Sequence, residues 1–410
     1  MPVFGKKFRE QHFSLSPSAI PVNNGSYGVA PTVVLEEFHD IQWKKEGFPD
    51  RYLRAEQPLD VIASTKAIAD IVDADYENLV FADSTSAGVN MVLRSFPFAR
   101  GDKILFQTTT YSACINTVKF LALRYGVVPL TVQLDYPLSD DEVVEKFAQA
   151  MKAEAETGIP VKMCLFDAIS SLPGLRVPFE RIVQLCKDQD VISFVDGAHT
   201  VGQIPIALRT LQPDFFISNL HKWYMVPKGC AIVYVAPKYH RSIHSFPISH
   251  SFLEDDVVLP LALEATRLVD RFRLTLVSYF ANITVVPAAI KFRNNVCGGE
   301  TEISNYCYKL AQDVGDMLAA RWGTSVLNNS HKESRQLAMV NVEVPVVPLE
   351  LSSGWRKHVE EKMLENSVFV PLFEHNGKLY ARFSCTVYND MEDYLAAADL
   401  LLKFVNEVVN

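Results

Sequence analysis

From about residue 60 to 235 the chain repeats one pattern. A short continuous apolar run is followed by a polar turn and then by apolar residues at helical spacing. The runs are Leu79-Val80-Phe81, Ile104-Leu105-Phe106, Met163-Cys164-Leu165-Phe166, Val191-Ile192-Ser193-Phe194-Val195, Phe215-Phe216-Ile217 and Ala231-Ile232-Val233-Tyr234-Val235. Runs that are continuous and not alternating belong to strands covered on both faces. Between two of them Phe179, Ile182, Val183 and Cys186 recur at the spacing of one helix face. Strand, helix and strand repeated in this way predict a mainly parallel α/β sheet.

Beyond about residue 275 the pattern changes. Residues 275–296 and 301–322 read as two helices, Ala338–Val342 and Val368–Pro371 as two short strands. His375-Asn376-Gly377-Lys378 reads as a hairpin turn into Leu379–Ser384, and an amphipathic helix runs from about Met391 to Val408. Residues 1–30 read as an irregular arm that ends in the turn-rich stretch Val22–Gly28. The expected organisation is therefore an arm over 1–30 that joins the small domain, a large domain over 31–275, and a small α+β domain over 276–410.

Composition narrows the function classes. The chain has 410 residues, and its length suits two or three domains. With 49% hydrophobic and 21% charged residues it is an ordinary globular chain. The net charge of −9 comes with no basic run, which argues against a nucleic-acid or membrane-surface partner. Seven cysteines with no CxxC pair read as reduced thiols in a reducing, cytoplasmic compartment. No apolar run approaches a membrane span, and the first residues carry no secretory pattern. Three Asn-X-Ser/Thr triplets, at Asn24, Asn282 and Asn328, are read as chance matches.

In open parallel sheets, ligands bind beyond the carboxyl ends of the strands, so the residues that follow each run carry the chemistry. Ser84-Thr85-Ser86 follows Leu79–Phe81 and opens a helix, which suits a phosphate. Tyr111, beyond Ile104–Phe106, is placed to cover a flat ligand. Asp167-Ala168-Ile169-Ser170-Ser171 is a polar turn in the same layer. Asp196 directly follows a five-residue apolar strand, where a carboxylate needs a cationic or hydrogen-bonding partner. Lys222 follows Phe215–Ile217 and precedes Trp223, a setting that lowers an amine's pKa and suits an imine-forming lysine. Each signal alone has an ordinary structural explanation. Together they put an acid, an amine and a phosphate cup on one rim, which is what pyridoxal phosphate requires.

The stretches VDGAHTVGQ, SNLHKW and PKGCA resemble the fold-type I, class V aminotransferase superfamily. VNNGSYG, RYLRAEQP, SLPGLRVPFERIV and ARFSCTVYN resemble its branch that holds isopenicillin N epimerase and the fungal C–S lyase of ergothioneine biosynthesis. The resemblance runs from about residue 20 to the end and implies a homodimer carrying pyridoxal 5′-phosphate. It implies that Lys222 forms the covalent imine, that Asp196 pairs with the pyridine nitrogen, and that Thr85, Ser86, Ser218 and His221 contact the phosphate. It places Tyr111 on the ring, His199 and Ser171 near the ring and its 3′-oxygen, and Arg382 on the substrate carboxylate. Asn24 and Arg54 would approach the substrate.

Three departures qualify this. Arg267-Leu268 stands where the superfamily often has the Gly-Thr that reaches the partner's phosphate, so Arg267 is a candidate substitute cation. Asn24 replaces a common His. No cysteine lies between residues 370 and 381, where desulfurases carry their nucleophile, and Cys385 lies past Arg382 in a strand. The expected reaction acts at Cα of an α-amino acid through external aldimine and quinonoid, with a C–S lyase-type β-elimination first. The alternatives are an alkaloid-forming cyclase of the loline type, an amino-acid epimerase, and a silent structural dimer.

Overall fold

A computed structural model describes residues 2–272, 280–328, 336–348 and 351–409. Seven strands form the large sheet: β1 (Leu79–Ala82), β2 (Lys103–Gln107), β3 (Val128–Val132), β4 (Val161–Asp167), β5 (Ile192–Asp196), β6 (Phe215–Asn219) and β7 (Ala231–Val235). Their order is β1-β7-β6-β5-β4-β2-β3. Pairs β2·β3, β2·β4, β4·β5 and β5·β6 are parallel, while β7 runs antiparallel to both its neighbours. The sheet is the mainly parallel one expected, and β1, β2, β4, β5 and β6 all end on the same rim. The pattern missed β3, whose mostly exposed residues include Pro129; β3 is an edge strand, which tolerates a missing N–H.

Both faces of this sheet are buried, which is why the runs are continuous. Helices Thr85–Ser95 and Ser112–Tyr125 cover one face, packing Val89, Val92, Cys114 and Val118 on Ile104, Leu165, Phe194 and Ile217. Helices Asp140–Glu156 and Phe179–Asp188 cover the other, packing Phe147, Phe179, Ile182 and Cys186 on Leu105, Phe166, Val195 and Phe216. Alternation along β4 and β5 therefore turns Asp167 and Asp196 toward the face of the Ser112–Tyr125 helix.

A second, antiparallel sheet holds β8 (Val326–Leu327), β9 (Met339–Glu343), β10 (Leu372–His375) and β11 (Lys378–Ser384) in the order β10-β11-β9-β8. The expected hairpin turn is present: Asn376 and Gly377 adopt φ of 49° and 75°, the left-handed pair that a two-residue hairpin loop needs. Val368–Pro371 forms only an isolated bridge, Ile20↔Val368, and the strand starts at Leu372. Helices Glu300–Trp322, Trp355–Glu365 and Met391–Asn406 complete this half.

The arm is more ordered than its sequence suggests. It contains a helix, Lys6–His12, and a helical turn, Asn24–Tyr27. Bridges Ile20↔Val368 and Asn23↔Ser384 attach it to the small sheet, and Val22 lies fully buried in that core. The expected boundary at 275, the start of the helix at 275–296 and part of the Asn328 triplet lie outside the described residues. The described part of that helix is split into Ala281–Thr284 and Val286–Asn295, with Pro287 opening the second piece. Phe292, Cys297, Ile303 and Cys307 share the core of the large sheet, whereas Leu310 onward belongs to the small one.

Candidate active site

The strand ends bring three groups of charge together. Asp196, at the end of β5, is 3% exposed. Its Oδ1 accepts the Ala198 N–H at 2.9 Å, and its Oδ2 accepts the Cys114 thiol at 3.3 Å. Asp167 sits beside it in register at the end of β4 and accepts Gln107 Nε2 at 3.1 Å. Burial raises both carboxyls, and the negative Asp196 raises Asp167 further. Asp196 has two donors and the nearby Lys222 amine to favour its anion, so Asp196 carries the charge and Asp167 keeps its proton.

Lys222 lies in the helical turn Leu220–Trp223 that begins where β6 ends. Burial, and then the nearby Arg382 guanidinium, lower its amine from 10.5 to about 8. Its Nζ stands 3.2 Å from Nε2 of His199. His199 is 2% exposed, and burial holds its imidazole well below its ordinary value, so the ring is neutral. Its Nδ1 accepts the indole N–H of Trp223 at 3.2 Å. The turn is clamped from behind. Asn24 donates Nδ2 to the Lys222 carbonyl at 2.9 Å and accepts the Tyr388 hydroxyl at 2.8 Å. Gly28, at φ 67°, packs against the His221 carbonyl so closely that a Cβ there would lie 1.7 Å from it.

The expected phosphate cup lies at the first turn of the Thr85–Ser95 helix, with Ser84 as the side-chain cap. Thr85 is buried, and its N–H and hydroxyl make reciprocal hydrogen bonds with the Asn219 amide, each at 3.0 Å. His221 hydrogen-bonds the Cys230 carbonyl through Nδ1 at 3.0 Å, which leaves Nε2 for another partner. Ser86 follows Thr85 in the same turn. Ser218 is not at the cup. Its hydroxyl accepts from Val201 N–H and from the Thr200 hydroxyl, both at 3.1 Å, and braces the turn after Asp196. Strand alternation turns Ser218 to one face and Asn219 to the other.

Arg382, on β11, is 1% exposed. Its Nη1 donates to the Ser171 carbonyl and hydroxyl at 2.8 and 3.2 Å, its Nη2 to Asn23 Oδ1 and Ser26 Oγ at 3.0 Å, and its Nε is buried without a partner. All these acceptors are neutral; among the described residues no carboxylate pairs with it. Burial lowers its guanidinium to about 10. Ser171 thus faces Arg382.

The remaining candidates are placed as follows. Asn24 serves the backbone of Lys222 and is buried. Arg54 lies in the single π-turn Tyr52–Glu56, exposed, paired with Asp50 at 3.0 Å. Tyr111 is half-exposed and caps the helix that carries Cys114. Arg267 points into its own chain, with its side chain fully covered: it pairs with Glu264 at 2.9 Å and donates to the Val257 carbonyl. Its Nη1 is buried without a hydrogen-bond partner among the described residues. The motif reading missed Asn219, Cys114, Gln107 and Trp223, whose chemistry shows only when their partners are known; Asp167 stood in a noted turn without a role.

This donor set fits pyridoxal 5′-phosphate. A buried carboxylate stands ready for a protonated ring nitrogen, and an amine of lowered basicity stands ready for an aldehyde. The helix start carries positive potential for a dianion, and His221, whose imidazole burial holds below its ordinary value, stands beside it. Arg382, buried without a counter-charge, suits the substrate's carboxylate.

The family model described as Aminotransferase class-V matches residues 51–350. The chain is 31% identical over 411 residues to hercynylcysteine sulfoxide lyase of Schizosaccharomyces pombe, with 98% of each protein covered. It is 29% identical over 441 residues to the L-cysteine desulfhydrase-like protein lolT1 of Epichloe uncinata, covering 99% of this chain and 97% of that one. Among solved structures, a mutant of C-DES with glycine covalently linked to its PLP cofactor superposes with a TM-score of 0.79 at 19% identity, over 97% of this chain and 99% of that one.

Proposed function

The chain belongs to the class-V aminotransferase family and is a pyridoxal-phosphate-dependent lyase, and on that premise we propose that it cleaves the Cβ–S bond of a cysteine-derived α-amino acid by β-elimination. The observation that carries this reading is the grouping of Arg382, Lys222 and Asp196 in a site with no exposed thiol. All seven cysteines are buried. Cys385 is 0% exposed, and burial pushes its thiol well up, so it offers no thiolate to trap sulfur. The relatives named above support the same reading.

Bound pyridoxal phosphate supplies the electron sink for charge at Cα. The protein's own groups do the rest. Arg382 would grip the substrate carboxylate with its planar fork, exchanging neutral oxygens that its Nη1 and Nη2 now hold for the anion, and so fix the amino acid about Cα. The Lys222 amine, of lowered basicity, accepts the Cα proton and delivers it toward the departing sulfur. With the cofactor bound, Asp196 would hold a proton on the ring nitrogen, and the Thr85 helix start, braced by Asn219, would hold the phosphate with His221 beside it. The balance is R–S–CH2–CH(NH3+)–COO− plus water giving R–SH, pyruvate and ammonium. The electron pair of the Cβ–S bond leaves with sulfur, and water hydrolyses the three-carbon fragment after release.

We take the working form to be a homodimer. Trp43, Phe48 and Leu59, exposed and near one another along the chain, are apolar surface that a partner would cover. The test of function is incubation with a panel of S-substituted cysteines and their sulfoxides. Pyruvate and the sulfur product should appear one to one, Lys222→Ala should abolish both, and Cys385→Ser should leave both unchanged. Alanine with a protein-bound persulfide, or a cyclised product without pyruvate, would overturn the elimination.

A further inference from the structure

His199 carries one proton when neutral, and the surrounding contacts decide which nitrogen holds it. The indole nitrogen of Trp223 is a donor only, and it points at His199 Nδ1 at 3.2 Å. Nδ1 must therefore accept, and the proton resides on Nε2. That nitrogen faces Lys222 Nζ at 3.2 Å. We propose that Trp223 is a positioning residue that locks His199 in its Nε2–H tautomer, so that an N–H is held against the Lys222 amine.

The consequence follows from donor arithmetic. An ammonium is donor-only, so an N–H facing it leaves two donors opposed. A neutral amine has a lone pair that accepts the Nε2–H. The locked tautomer thus favours the neutral amine, the form that attacks an aldehyde. Were the proton free to move to Nδ1, the Nε2 lone pair would face Lys222 and stabilise its ammonium. Trp223 sits beside Lys222 in sequence, so one helical turn carries both the amine and the device that keeps its partner in the right form. The charged and titratable groups around the amine are Asp196 on β5, Asp167 on β4, Cys114 on the Ser112–Tyr125 helix, Arg382 on β11 and His221 on its own turn. Those around His199 are Lys222 and Arg382. None of them donates to Nδ1 in place of the indole.

This inference rests on Lys222 as the amine that captures the cofactor, and the experiment separates the two. The full chain is freed of cofactor and mixed with pyridoxal 5′-phosphate across a pH series. Capture joins the amine nitrogen to the aldehyde carbon and releases the aldehyde oxygen as water. Borohydride reduction and peptide mapping locate the modified lysine. A label on another lysine defeats the assignment of Lys222. With the label on Lys222, Trp223→Phe should move the midpoint of the capture rate against pH upward by about one unit. A merely structural tryptophan would lower the rate at every pH without moving the midpoint, and that result overturns the proposal. A 3-benzothienylalanine at position 223 keeps the ring's shape without the N–H, and should give the same shift even if the phenylalanine variant folds poorly. Independently of the cofactor, nitrogen-15 histidine spectra of the cofactor-free chain should show His199 protonated at Nε2 in the native protein and shifted toward Nδ1–H in the variants. Protonation at Nδ1 in the native chain refutes the lock.

Discussion

Replacing Arg382 by Leu separates what this cation does for the fold from what it does for the substrate. In the folded chain the guanidinium is buried among neutral oxygens, and its pKa falls from 12.5 to about 10. That difference amounts to a penalty of roughly 3 kcal/mol on the charged form. Leucine removes the penalty but leaves the Ser171 carbonyl, Asn23 Oδ1 and Ser26 Oγ without their donor, at about 1 kcal/mol each. The two effects are similar and opposite, so the unfolding free energy of Arg382→Leu should stay within about 2 kcal/mol of the parent. Activity should not. Two charge-assisted hydrogen bonds to a carboxylate contribute about 1.5–3 kcal/mol each, so kcat/KM should fall by about 10²–10⁴ for every α-amino acid cleaved. The assay is pyruvate release by the cofactor-loaded variant, with thermal unfolding measured alongside. An amine substrate that lacks the carboxylate should lose nothing by the substitution. A loaded, folded variant whose kcat/KM with amino acids stays within tenfold of the parent would refute the reasoning.

Other outcomes follow from the same geometry. Asp167→Asn replaces an acid already held neutral by burial, so its stability should change by less than about 1 kcal/mol, whereas Asp196→Asn should loosen the cofactor and slow exchange of the Cα proton; equal behaviour of the two in calorimetry and exchange would reverse the charge assignment. Gly28→Ala drives a Cβ into the His221 carbonyl and strains a left-handed backbone, so cofactor loading read by absorbance should collapse. Lys222 stands at about 8 in the folded chain against 10.5 ordinarily, so between those pH values only the unfolded chain holds the proton. Stability of the cofactor-free chain should therefore rise with pH across that window, by up to roughly 3 kcal/mol from this group. Denaturant titrations of Lys222→Met should lack that rise.

Hydrophobic patterning alone marks every strand of the large sheet except β3, and with them the chemistry of the rim. Continuous apolar runs mark strands buried on both faces; Asp196 stands out because a charge directly after such a run cannot be solvated by default, and Lys222 because it lies in the turn beyond the next run on the same rim. Arg382 was legible only through resemblance, since its four neutral acceptors come from residues far away in the chain. Where each polar side chain turns is legible only in the folded chain. Ser218 and Asn219 are neighbours, but strand alternation sends one to brace a turn and the other to Thr85. Asn24 reads as a substrate-side residue, and only the folded arm shows its amide on the Lys222 carbonyl. Arg267 reads as a free cation in the sequence, and only the fold shows it held by Glu264 and the Val257 carbonyl. Trp223 reads as an ordinary apolar neighbour of a lysine until His199 is placed against its N–H. Hydrophobic periodicity records which positions leave water. The direction and partner of a hydrogen bond depend on distances of a few ångströms between segments that lie from a few to some hundreds of residues apart, and those distances are set only once the chain has folded.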